Sequence, residues 1–264
     1  MKPYIHKLDL KNKDIRKTYS TALQKFEEEF DYPLGEKRFY IKHGLNDDND
    51  YFSFFEQMGE ISYFVVEHEH KIIGAGCAIL RNINNEKIWY LCDFKISKEH
   101  RGIKILEKIM LKYFIPMYFK SRKIIVVNMS HPSNNGLINK ISRLFKWFKM
   151  QSDELFFFEW NKKDLFKDNI DLNKFIIVHN KGKKDIVIEG EPYNIYHLVP
   201  KETTKDYSQF QTISFDQIGR NDVIMWCSSR NKNVDELIKK RNPSAIGTIL
   251  TYGINDQSFS SSEI

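Results

Sequence analysis

The sequence predicts a mixed α/β (α+β) protein. It has a mostly antiparallel central sheet flanked by helices and a smaller C-terminal α+β extension. Three observations lead there. An amphipathic helix pattern near the start gives way to three consecutive strand patterns with short connections. The third strand runs through a basic turn into a long helical stripe. Past residue 160, short strand patterns separated by Gly-containing turns dominate.

Between residues 12 and 31, Ile15, Tyr19, Ala22, Leu23, Phe26 and Phe30 recur at spacings of three and four, the mark of a one-faced helix. Residues 51–58 (YFSFFEQM) predict a second short helix. The period then changes to that of strands. Tyr63–His68 and Lys71–Leu80 read as a hairpin with Glu69 and His70 at its turn, and Ile88–Ile96 as a third strand. Ser97–Gly102 forms the basic turn. Ile103, Leu106, Ile109, Met110, Tyr113, Phe114 and Met117 then line one helical face, with Pro116 expected to kink or close its last turn. Lys123–Met129 is a nearly continuous apolar strand, suited to cover on both faces. Ser130–Gly136 opens a further helix carrying Leu137, Ile141, Leu144, Phe145 and Phe148, and Leu155–Trp160 is another strand.

The polar run Asn161–Lys174 is the best boundary, dividing the chain into residues 1–160 and 161–264. In the second part FIIVHN, KKDIVIEG and NIYHLV read as short strands. VIMWC, VDELIKKR and AIGTILTYG read as a β–α–β unit, and the tail SFSSSEI as a surface terminus. This part extends the sheet, forms a second half of the same kind, or covers an acceptor site.

Composition narrows the classes. Of 264 residues, 41% are hydrophobic and 14% aromatic, enough to bury a core. The net charge of +6, from 41 basic and 35 acidic residues, suits an anionic ligand or an acidic carrier protein. It lacks the concentrated basic face of a nucleic-acid binder. Cys77, Cys92 and Cys227 are an odd, widely spaced set in apolar stretches, so neither a disulfide framework nor a CxxC metal site is expected. No apolar signal core opens the chain and no apolar run is long enough to span a bilayer; a cytoplasmic location is expected.

The informative stretch is Ile88–Met110, IWYLCDFKISKEHRGIKILEKIM. The first N–H groups of a helix lack partners within it and, with the helix dipole, form an anion site. Gly102 allows close backbone approach, and Lys98, Arg101 and Lys104 add positive charge. A pyrophosphate fits such a turn. This stretch, with the order of elements over residues 12–160, resembles the GNAT superfamily, whose members carry an Arg/Gln-x-x-Gly-x-Gly/Ala turn between a strand and a helix. Arg101-Gly102 resembles the start of that turn, and Lys104 and Leu106 stand where the family has small residues.

The resemblance implies a GNAT-like sheet and acetyl-CoA or another acyl-CoA as co-substrate, with no metal. It implies that the turn's amides hold the pyrophosphate and that the preceding strand splays from its neighbour to take the pantetheine arm. The donor-binding residues it points to are Phe94, Lys95, Ile96, Arg101, Gly102, Ile103, Lys104, Ile105, Leu106 and Asn134. Asn134 and Asn135 resemble the Asn that opens the next helix, but the place of the family's Tyr holds Ile141 or Ser142.

Two residues are candidates for acid–base work. Asp93 is a carboxylate inside an apolar strand, either a base or a group that orients its neighbours. His131, just past Lys123–Met129, either moves a proton or bonds its own loop. Glu67, His68, Glu69 and His70 read as a solvated polar turn rather than a metal site.

The expected activity is acyl transfer from a CoA thioester to an amine or hydroxyl of a small-molecule or peptide acceptor. Two alternatives stay open. One is a long-chain N-acyl amino acid or autoinducer-type synthase using acyl-carrier protein; the other is a non-catalytic GNAT-like binding module.

Overall fold

A computed structural model of the chain describes residues 2–34, 37–44, 49–83, 85–101, 105–129, 150–202, 210–220, 222–254 and 259–263. The first helix, α1 (Lys13–Glu27), starts where Asn12 accepts hydrogen bonds from the N–H groups of Asp14 and Ile15. Its apolar face packs Leu23 and Phe26 onto the sheet, beside the short α2 (Ser53–Glu56) with Phe54 and Phe55. Arg16 of α1 bonds both Asp50 and Glu56, fixing α2 against α1.

The main sheet begins with β1 (Tyr4–Lys7). The meander follows as β4 (Glu60–His68), β5 (Lys71–Ile83) and β6 (Glu86–Ile96). At the hairpin between β4 and β5, Glu69 and His70 both have positive φ, 50° and 61°, as a tight two-residue turn requires. The helical stripe is α3 (Ile105–Lys120), which passes through Pro116 without ending. It leads to β7 (Lys123–Asn128), parallel to β6. The expected helix over residues 137–148 lies outside the described residues.

The remaining strands of this sheet are β8 (Gln151–Trp160), β9 (Phe175–His179), β12 (Ile195–Pro200), β13 (Gln211–Ile213), β14 (Val223–Ser229) and β15 (Ala245–Tyr252). The helices α4 (Lys162–Lys167) and α5 (Lys232–Ile238) lie between them. The strand order is β1-β4-β5-β6-β7-β15-β8-β14-β12-β9-β13. This order repeats outward from the β15–β8 pair. On each side come one antiparallel neighbour, then a parallel pair, then antiparallel strands. The parallel pairs are β6 with β7 and β12 with β14. VIMWC, VDELIKKR and AIGTILTYG do form strand, helix and strand, but β8 sits between the two strands.

A smaller sheet, β11-β10-β3-β2, joins β2 (Tyr32–Leu34) and β3 (Lys37–His43) to β10 (Lys184–Ile188) and β11 (Glu191–Tyr193). The sequence pattern predicts no strands at 32–43, because the charges of KRFYIKH mask the alternation. Phe39 and His43 are buried while their neighbours face solvent.

One face of the main sheet gathers Tyr63, Cys77, Tyr90, Ile125, Phe157 and Ile249 with α1 and α2; the other packs Trp89, Leu91, Ile124 and Val126 beneath α3. The tail departs from its expected surface position. Ser262 is 0% exposed and Glu263 1%. Its polar composition suggested solvent, but its polar groups find partners inside. Glu263 pairs with buried Arg81 and its carbonyl accepts from the Tyr90 hydroxyl; Ser261 bonds His197.

Candidate active site

The strand β6 organises the site. It pairs with β7 only over Ile88–Leu91, opposite Lys123–Val126. Past Leu91 and Val126 the two strands part. Val127 and Asn128 pair with Ile249 and Thr248 of β15, and Cys92–Ile96 keep partners only on β5 among the described residues. The backbone edge of Phe94, Lys95 and Ile96 that faces the gap is therefore free of strand pairing.

A bulge shapes this segment. Ala75 faces Lys95 and Cys77 faces Cys92, so Asp93 and Phe94 together oppose the single residue Gly76. Asp93 takes the extra turn with φ of 57°, a left-handed conformation that Asp tolerates better than most residues. The Phe94 ring lies across Gly76. A Cβ there would sit 2.6 Å from two ring carbons, so only glycine lets the ring lie flat on β5.

After β6, Ser97 donates its N–H to the Ile73 carbonyl, ending the strand in register. A 3₁₀ turn, Lys98–His100, follows, with the Ser97 hydroxyl 2.8 Å from Nδ1 of His100. Arg101 is exposed, and its Nε donates to the Ile96 carbonyl at 3.4 Å. Ile105 begins α3 and is buried with Ile109, Val66 and Ile73; Leu106 follows in the helix's first turn. Gly102, Ile103 and Lys104 lie outside the described residues, as do His131 and Asn134. The described chain thus brings together the free edge of β6, exposed Arg101 and the start of a long helix.

Asp93 sits in a buried polar cluster. One carboxylate oxygen takes the Lys95 ammonium, and the other accepts from the hydroxyls of Tyr63 and, at 3.0 Å, Tyr51. Lys95 also donates to Glu27 at the end of α1. Glu27 accepts in addition from Tyr32 at 3.3 Å, and the Tyr51 hydroxyl, 3.0 Å from both Glu27 and Asp93, gives its single proton to one carboxylate at a time. Burial works against the Lys95 ammonium, but the Asp93 and Glu27 carboxylates more than reverse this and hold its pKa well above the usual lysine value. Burial, reinforced by the Asp93 charge, pushes the Tyr51 and Tyr63 phenols well up.

The cluster continues into the other flank of the sheet. His43 stacks on Phe55 and lies beside Tyr51, and is held neutral by burial and by the Lys184 and Lys95 charges. Lys184 faces His43 across the β10–β3 pair and lies 4.5 Å above the Phe54 ring; burial and the Lys95 charge lower its pKa to about 8. His197, between Asn180 and Ser261, is lowered to about 3, first by burial and then by Lys184.

The sequence names Asp93 as an acid–base candidate and Lys95 as donor-binding, without pairing the two, and gives no role to Glu27, Tyr51, Tyr63, Tyr32, His43 or His197. One signal was available. Glu27 follows Leu23 by four residues and Phe26 by one, which sets a carboxylate on the apolar stripe of α1. Nothing in the sequence announced that Tyr51 and Tyr63 would meet it.

No family model matches this sequence, and no curated protein does. Solved structures are similar in fold. A GCN5-related glucosamine N-acetyltransferase region of a fungal multi-domain GH3 β-N-acetylglucosaminidase aligns over 95% of this chain with a TM-score of 0.50 and 9% identity. The chain spans 38% of that protein. A tandem GNAT protein from the clavulanic acid biosynthesis pathway aligns over 97% of this chain and 100% of its own, at 8% identity and a TM-score of 0.47. A putative acetyltransferase from Thermoplasma acidophilum covers 94% and 99% respectively, at 11% identity and a TM-score of 0.44. With its mostly antiparallel sheet, its parallel step from β6 to β7 after the meander and its likeness to the fungal region, this chain has the GNAT fold, in a divergent sequence.

Proposed function

We propose that the chain is an acyltransferase that takes an acetyl or other acyl group from a CoA thioester bound along β6 and passes it to an amine or hydroxyl acceptor. The observation that carries this is the parting of β6 from β7 after Leu91 and Val126. A pantetheine arm has amide groups of its own, and the free edge of Phe94–Ile96 offers backbone partners to them. The start of α3 and the cations of Lys98 and Arg101 suit the pyrophosphate at the arm's far end. An N–H of the bulge, if aimed at the thioester oxygen, would stabilise the charge that develops on it. On this reading residues 1–160 supply the donor site, while residues 161–264 complete the sheet around it.

No helix of the described residues is long and apolar enough to cross a membrane.

Isothermal titration with coenzyme A and acetyl-CoA tests the proposal. Binding in the micromolar range is expected, weakened at least tenfold in Arg101→Glu. No binding of either ligand by the folded wild-type chain would reject the CoA donor.

A further inference from the structure

We propose, on the reading that β6 is the donor strand, that Glu27 and Lys95 are positioning residues. Their ion pair ties the end of α1 to β6, holds Asp93 in its left-handed conformation and so sets the course of the donor-facing edge.

Every member of the cluster bears on the bulge. The Asp93 backbone has φ of 57°, a conformation unfavourable for an L-residue unless its surroundings hold it. Its carboxylate is gripped from two directions. Lys95, two residues on along the same strand, takes one oxygen, and the Tyr51 and Tyr63 hydroxyls take the other. Lys95 is in turn anchored outside the strand, on Glu27. Glu27 is itself fixed by Tyr51 and Tyr32. The grip therefore draws on α1, β2, β4 and the segment before α2, all acting on one bulged residue.

The same contacts argue against Asp93 as the base that deprotonates an acceptor. A base must reach the proton it takes. Both Asp93 oxygens already receive donors, and its side chain is 6% exposed. Glu27 is sealed more completely, with a side chain 0% exposed. Two buried carboxylates around one buried ammonium form a closed charge set, which persists only while each member is paired. Such a set is suited to specifying one geometry.

Phe94 conveys the result to the site. Its ring is pinned over Gly76 and, with Tyr113 of α3, packs against the apolar clusters on that face of the sheet. The backbone that presents Phe94–Ile96 to the gap is thus fixed from both faces. Loosening Asp93 frees that segment, and the donor loses its preformed edge.

The test uses the full chain and three variants. Glu27→Gln removes the anchor. Glu27→Gln/Asp93→Asn/Lys95→Met removes all three charges of the clamp together. Gly76→Ala leaves the cluster intact and displaces Phe94. Two measurements are made on each: the Kd for coenzyme A by titration well below the melting temperature, and hydrogen exchange of the peptide spanning Leu91–Ile96. The expected result is at least tenfold faster exchange in that peptide for the two charge variants, with a Kd raised at least tenfold in all three.

Lower melting temperatures with unchanged Kd and unchanged local exchange would mark the cluster as ordinary core and overturn the proposal. If the wild-type chain binds no coenzyme A, the donor reading fails. Exchange then decides the clamp separately: faster exchange confined to Leu91–Ile96 retains it, and unchanged exchange removes it.

Discussion

The hydroxyl of Ser261 lies 3.1 Å from Nδ1 of His197, at the point where β12 and β14 part. His197 and Met225 are the last residues in register between those strands, and the Ser261 hydroxyl also donates to the Met225 carbonyl at 3.2 Å. The gap matches the one after Leu91 and Val126 on the opposite flank of the sheet. There the strand edge has no strand partner among the described residues, whereas here the chain's own C-terminal segment takes a backbone carbonyl. Coenzyme A is therefore expected to bind with a stoichiometry near one per chain. A value near two in the same titration would mean that the tail gives way to a second donor.

The tail also bears on stability. Glu263 and Arg81 form an ion pair in the interior, with side chains 1% and 10% exposed. Removing one partner of such a pair strands the other's charge. Glu263→Gln is expected to lower the unfolding free energy by about 3 kcal/mol in urea titration. A change below about 0.5 kcal/mol would show that the pair is as weak as an exposed one.

A pH effect follows from His197. Its folded-state pKa lies near 3, against 6.5 for an unperturbed histidine, because burial and the Lys184 charge disfavour the imidazolium. The unfolded chain therefore binds the proton first as pH falls. The stability this group contributes is complete above about pH 6.5 and is lost progressively toward pH 3. Between pH 6.5 and about 4.5 the wild type is expected to lose about 2–3 kcal/mol more than His197→Asn. Parallel stability curves for the two proteins would refute the assignment.

Strand exchange across the middle of the sheet makes a further prediction. The strand β15 pairs with β7 on one side and β8 on the other, and β8 pairs in turn with β14. Residues 1–160 expressed alone lose β15 and β14, exposing backbone edges on β7 and β8. That fragment is expected to show no cooperative melting by circular dichroism. A sigmoidal transition close to that of the whole chain would establish it as an independent folding unit.

Much of the fold was legible before any coordinates. The spacing of Ile15, Tyr19, Leu23 and Phe26 marked α1, and the periods of Tyr63–His68, Lys71–Leu80 and Ile88–Ile96 marked the meander, since side-chain direction repeats locally along a helix or strand. The Arg101-Gly102 turn between a strand and a helix was likewise a local pattern. Asp93 was legible as an anomaly, a charge in an apolar strand, although not what it meets.

Only tertiary structure decided the rest. Glu27 and Lys95 are separated by 68 residues, and Arg81 and Glu263 by 182. No periodicity encodes such pairs, because a buried charge chooses whichever partner the packing brings within reach. The strand β15 lies between β7 and β8 because strand order depends on which edges remain open after the meander forms. The tail reads as polar and exposed by composition, yet it is buried because Arg81, Tyr90 and His197 offer its polar groups the partners that water would otherwise supply. The sequence alone determined most of the elements, the strand and helix at the candidate site among them; the three-dimensional arrangement determined which charges neutralise one another and where, among the described residues, a strand edge is left unpaired.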